Sequence, residues 1–402
     1  MSKNCVDRAA CVSLFLFASA CSSANDGGAT ANTGKIASTA SALTVSVGPR
    51  SLSHDFLDVS FLPAGVAADE KVVFVGDPLE GRVLAYSRLT GNQIGELPAP
   101  PGGFILPFIM HSLGSGRVGV LDAGGLPQPK PLVLAHPLIS EYTYTFTAAG
   151  GFTATLARFV DSTGTDVGFP EDFVKLDDGR ILLSDAVLGS IWVIQPDGTY
   201  TPGIVPKTFD PKDAIPQLAI CPTMPEVQVN GVPFLFSGST IPGIEAIAVR
   251  NGTVYFHSSC ARGLFKFPLS VLSDHRTPSQ RAASLQLVAS TPAAIQVEEL
   301  LDMQFNPYDP SDPYLYAAHG MQLEVLRIDS RTGERQVVAK DSRLFDFPSS
   351  LAFLPHVVGD ETGSPLLLVL SNQQERTPIT NDAVTADSFN LPFLVAKVRV
   401  TR

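Results

Sequence analysis

Six short apolar runs recur along this 402-residue chain, each ending in a small or polar residue and each followed soon by a second strand-like run. They are VFVGD (73–77), GVLDA (119–123), LLSDA (182–186), YFHSS (255–259), YAAHG (316–320) and LVLSN (368–372). From Asp77 through Asp122, Asp185, Ser259 and Gly320 to Asn372 the steps range from 45 to 74 residues, so the repeat is degenerate. The second runs include RVLAYSR (82–88), SIWVIQP (190–196) and LEVLRID (323–329), most of them with the period-two alternation of half-buried strands. Three lead into turns carrying Gly91, Gly198 or Gly333.

A unit of this length cannot bury both faces of its own small sheet, so neighbouring units must stack radially. The expected fold is all-β: a six-bladed β-propeller with four-stranded antiparallel blades around a central channel. A sandwich does not demand six similar units, and a solenoid has shorter, stricter periods. With the repeat as a ruler, the blades fall at about 55–98, 104–148, 153–202, 240–290, 297–340 and 346–400. The leftover segment, 203–239, is proline-dense and reads as a lid or an elaborated blade edge. Ring closure requires a partner for the last strand, 393–400, and residues 42–47 are the candidate.

At the amino terminus, Lys3 and Arg8 precede an apolar run, 9–20, too short for a stable membrane span. Ala18-Ser19-Ala20-Cys21 resembles the bacterial lipobox, with Ala where Leu is commonest; a plain secretory signal cut near Ala20 is the alternative. The expected organisation is a lipoprotein signal peptide (1–20), a flexible tether behind lipidated Cys21 (21–48) and one propeller (49–402). This places the protein in the bacterial cell envelope, as an outer-membrane lipoprotein touching the membrane only through its lipid. Cys221 and Cys260 are then expected to form a disulfide, two separate buried thiols being the alternative. The formal charge of −11, with no basic cluster, argues against nucleic-acid binding. A monomer with a small-molecule ligand is expected.

No nucleophile elbow, phosphate loop, zinc helix or CxxC pair is present. Any chemistry must therefore come from residues that converge on the channel. Glu171, Glu245 and Asp302 each stand where a loop enters an inner strand, so together they form a hard-oxygen site suited to Ca²⁺ or another divalent cation. Glu171, His111 and His319 are the candidate acids or bases. The alternative is that the carboxylates cap turns or bind the next blade's backbone, and that the histidines, His257 included, are structural. Asp77, Asp122 and Asp185 are expected to hold turns.

Segment 168–202 resembles blades of the regucalcin, gluconolactonase and strictosidine-synthase-like six-bladed propellers. Segments 243–274 and 338–400, the latter with VAKDSRLFDFPSSLAFLP and LPFLVAKVRV, resemble bacterial members of the Yellow and major royal jelly protein family. The first resemblance implies a small-molecule pocket at the channel mouth and, in its gluconolactonase branch, a divalent metal held by carboxylate and asparagine side chains. Asp302 matches that branch's aspartate, whereas Glu245 stands at its asparagine and Met303 at a usual glycine. Two readings follow: a metal-dependent lactonase- or esterase-like hydrolase, or a non-catalytic ligand- or protein-binding propeller of the Yellow type.

Overall fold

The computed structural model describes residues 42–44, 52–55, 62–114, 116–125, 138–147, 151–162, 165–205, 221–222, 224–236, 240–355, 366–391 and 393–400. The signal sequence, Cys21 and all of the tether except 42–44 lie outside the described residues. The described part contains six antiparallel blades, five of them sheets of four strands in simple order from channel to rim, and the sixth a sheet of the same four-stranded plan with one short strand added at its rim. The inner strands are Ala64–Ala68, Pro107–Ser112, Pro170–Lys175, Ile244–Arg250, Leu300–Phe305 and Pro348–Leu354.

Period-two alternation creates the core. In blade one, Val66, Ala68, Val73 and Val75 face blade six, while Ala67, Val72 and Phe74 face blade two. The same division recurs around the ring, giving one apolar cluster for each pair of neighbouring blades. No sheet is stable alone, because each needs a neighbour on both faces. Gly333, at φ 76°, shows how tightly the turns fit, since a Cβ there would meet the Val288 carbonyl of blade four.

Ring closure differs from the sequence expectation by about ten residues. The strand beside Val395–Arg399 is Leu52–Asp55, paired through Leu52↔Val398 and Ser53↔Lys397. Ala42–Thr44 lies one strand further out. Both segments alternate weakly, so pattern alone did not separate them.

Among its described residues, the segment after blade three carries a lid-like hairpin that rests on blades five and six. Its hairpin, Val227–Val229 with Val232–Phe234, packs Val229 and Phe234 onto Leu301, Met321 and Leu323 of blade five and Phe347 of blade six. The Phe234 and Phe347 rings lie 5.4 Å apart. Asn381 receives Leu235 N at 2.9 Å and donates to Pro233 O at 2.8 Å, and a disulfide joins Cys221 to Cys260 with Cα atoms 5.6 Å apart. The insert is therefore anchored on blade four at one end and on blade six at the other.

Candidate active site

Every inner strand carries a register shift at its first residues, between Ala64/Val66, Pro107/Ile109, Pro170/Phe173, Ile244/Ile247, Leu300/Asp302 and Pro348/Ser350. A bulge turns side chains that simple alternation would send between blades toward a new direction. Because six bulges sit at one end, they set two levels of residues around one entrance. Glu171 and Glu245 occupy bulges, whereas Asp302 lies past its own bulge, in register with Asp172.

The inner level gathers His111, Asp172 and Asp302, with ligand-type atoms all within 4.8 Å of one another. His111 Nε2 is 2.6 Å from Asp172 Oδ1. Asp172 also accepts from Phe173 N at 2.8 Å and from Ile247 N of blade four at 2.9 Å. Asp302 Oδ2 accepts from Ser350 Oγ at 3.0 Å and Leu351 N at 2.7 Å, and Ser350 Oγ accepts from Val66 N at 3.0 Å. Gln304 donates to Leu351 O at 2.6 Å and lies 3.3 Å from His111 Nδ1. One network thus touches all six blades. Burial disfavours a charged His111 ring, but the Asp172 carboxylate outweighs it and raises the pKa. Burial lifts Asp302 to about 6 against the pull of His111.

The entrance level is bonded differently. Glu171, Glu245 and Glu299 act on one another electrostatically, and burial followed by that repulsion raises Glu171 and Glu299 well above the usual carboxylate range. Glu299 is fully buried with neither oxygen bonded, and Glu245 Oε1 is likewise unpartnered. Glu245 Oε2 faces His257 Nδ1 at 3.0 Å and the Ser259 hydroxyl. Behind them, His257 Nε2 lies 3.4 Å from Glu298 Oε2, and Glu298 is paired with Arg335. Burial opposes the Glu298 charge, but His257 and Arg335 hold its pKa well below normal.

The three carboxylates singled out from sequence therefore divide. Glu171 and Glu245 share the entrance level, with Glu299 as their third member, and Asp302 belongs with His111 and Asp172. Register explains the division: Asp302 stands opposite Ala318 as Asp172 stands beside Ser184, one position further along the strand than Glu171 and Glu245. His111 reaches the channel. His319 does not join it, being fully buried 3.2 Å from Glu324 in a turn of blade five. Asp172 and Glu299 were overlooked, although each adjoins an acidic residue ahead of an inner strand: Glu171-Asp172 and Glu298-Glu299. Asp122 and Asp185 do hold turns, Asp185 receiving Gly168 N at 2.7 Å and Trp192 Nε1 at 3.1 Å.

No protein-family model matches this chain, and no curated protein matches it. Solved structures do. The major Malassezia sympodialis allergen Mala s 1 superposes with a TM-score of 0.53 at 11% identity, covering 85% of this chain and 95% of the allergen. A gluconolactonase from Xanthomonas campestris gives a TM-score of 0.45 at 13% identity, over 88% and 90% of the two chains. A calcium-binding regucalcin from Agrobacterium tumefaciens gives 0.45 at 12%, over 87% and 95%. At these identities the likeness concerns the fold, a six-bladed β-propeller.

Proposed function

We propose that the channel entrance holds a divalent cation and works on a small carbonyl compound such as a lactone or ester. The observation that carries this reading is four unpartnered, buried carboxylate oxygens: Glu245 Oε1, both oxygens of Glu299 and Asp302 Oδ1. An unpaired buried carboxylate is costly, and an oxygen-seeking cation is the partner that relieves several at once. Glu171, Glu245 and Glu299 would hold the ion. The His111, Asp172 and Asp302 set is closer-knit and offers Asp302 Oδ1, but Asp172 is spent on His111, Phe173 N and Ile247 N, and Asp302 Oδ2 on Ser350 and Leu351 N.

When bound, the cation supplies Lewis-acid polarisation of a carbonyl and an acidified water. The chain's own groups do the rest. Glu171 is partly exposed, and burial with the nearby Glu245 carboxylate raises its pKa, the direction that suits a proton-transfer group. His257, fixed by Glu298, stabilises charge on Glu245. Lipidation at Cys21 and a cell-envelope location remain part of the proposal, and acyl-label incorporation lost in Cys21→Ala tests them.

Calorimetric titration of the full chain with Ca²⁺ and Mg²⁺, followed by a lactone and ester panel, tests the channel reading. Saturable binding that disappears in Glu299→Gln, with hydrolysis lost on chelation, is expected. Hydrolysis that survives both treatments would overturn it.

A further inference from the structure

A second enclosed polar space lies away from the channel carboxylates. A cleft of about 390 Å³ opens between the lid hairpin and blade six, inside the range of roughly 300–1,000 Å³ typical of small-molecule sites. Asn230 at the hairpin turn forms one wall. Asp346, just ahead of the inner strand of blade six, forms the floor, and Gln373, Arg376 and Asn390 of the long loop in that blade form the other wall.

The polar groups are pre-organised. Asp346 is 5% exposed and accepts from Arg376 Nε at 2.8 Å, Asn390 Nδ2 at 2.9 Å and the Asn230 amide. Gln373 and Asn390 exchange two bonds of 2.7 Å each. At the base of the cleft, buried Phe347 and Gln373 hold left-handed backbone at φ 62° and 54°. Non-glycine residues bear strain there, and the bonds Asn372 N→Phe347 O and Gln373 N→Asp346 O, both 3.1 Å, keep it in place.

The lining also selects a ligand class. Arg376 is paired with Asp346 and lies 3.3 Å from Glu375, and Arg343 lies 3.3 Å from Asp341, so both guanidiniums at the cleft already face carboxylates. An anionic ligand would have to compete with them. Amides and hydroxyls facing one another suit adjacent ligand hydroxyls, which donate and accept in pairs. Leu344 and Leu394 offer an apolar patch for C–H groups. We propose that this cleft is a second binding site, for an uncharged polyhydroxylated ligand: a sugar ring, free or at the end of a glycan. None of the channel carboxylates lines it, so it stands or falls independently of the channel reading.

The test is calorimetry of the full chain against glucose, galactose, xylose, N-acetylglucosamine and inositol, with short oligosaccharides as the glycan arm. At least one probe should saturate, with a dissociation constant of about 1 mM or tighter. Ser342→Trp, which places a ring in the cleft from an exposed position, should weaken binding at least about tenfold while leaving the cation response of the channel intact. Asn390→Ala should do the same, and Glu299→Gln should not. With gluconate and glucuronate run as the anionic arm, the proposal is overturned if no uncharged probe saturates, if Ser342→Trp binds as tightly as the parent, or if only those two anions bind.

Discussion

At the inner level of the channel, Asp172 and Asp302 commit oxygens to the backbones of neighbouring blades and leave one, Asp302 Oδ1, without a partner; at the entrance level, Glu245 and Glu299 keep three. The residues are chemically alike and only a few ångströms of chain apart. Their bonding differs because Asp172 and Asp302 stand at the inner end of their bulges, where Ile247 N and Leu351 N of the next blades come within reach, whereas Glu245 comes at the start of its bulge and Glu299 ahead of its strand. A carboxylate saturated by its own fold holds the ring together, and one left unsaturated by the fold is available to a ligand.

The sharpest way to break this comparison is Asp172→Ala. It strands His111, Phe173 N and Ile247 N in a buried site, so we expect a loss of about 3 kcal/mol in urea unfolding. A loss similar to that of a surface substitution would remove the structural role of the inner level. Next in size is the cation effect. At a concentration 100-fold above its dissociation constant, Ca²⁺ or Mg²⁺ should stabilise the protein by about 2.7 kcal/mol. In Glu299→Gln that gain should vanish while the cation-free protein melts higher, because a buried, repelled carboxyl has been neutralised.

The pH dependence separates the levels further. Asp302 is lifted from 3.8 to about 6, so the folded state holds its proton more tightly than the unfolded chain does. Its favourable contribution is complete below pH 3.8 and is lost as pH rises through 6, a change on the order of 3 kcal/mol. Asp302→Asn should flatten that part of a stability profile measured between pH 4 and 7. The smallest effect belongs to Gln304→Ala. It removes the bonds to Leu351 O and His111 Nδ1 for a cost of about 1 kcal/mol, and it should leave cation binding unchanged. Altered cation affinity in that variant would show that the levels act as one site.

Much of the blade pattern was legible because its cause is local. Apolar alternation in 72–77 or 323–329 reflects burial between two blades whichever blades they are, so six strand endings mark six sheets. The short helical pieces at Leu269–Ser273 and Pro278–Arg281 also have local causes, the second being held by the capping box of Thr277 and Gln280. The site was legible only in part. Glu171 and Glu245 could be placed near the entrance from their positions ahead of inner strands, but Glu298 and Glu299 are adjacent in sequence and point to different partners, Arg335 and the channel respectively.

The sequence by itself determined an all-β chain of six repeating sheets, an acidic one, with its polar chemistry at the ends of inner strands, since composition and alternation act over a few residues. Only the tertiary structure decided which carboxylates meet, that Leu52–Asp55 closes the ring and that the insert lies across blades five and six. Those outcomes depend on one-residue bulges and on contacts between segments far apart in the chain, and a period-two pattern carries no record of either.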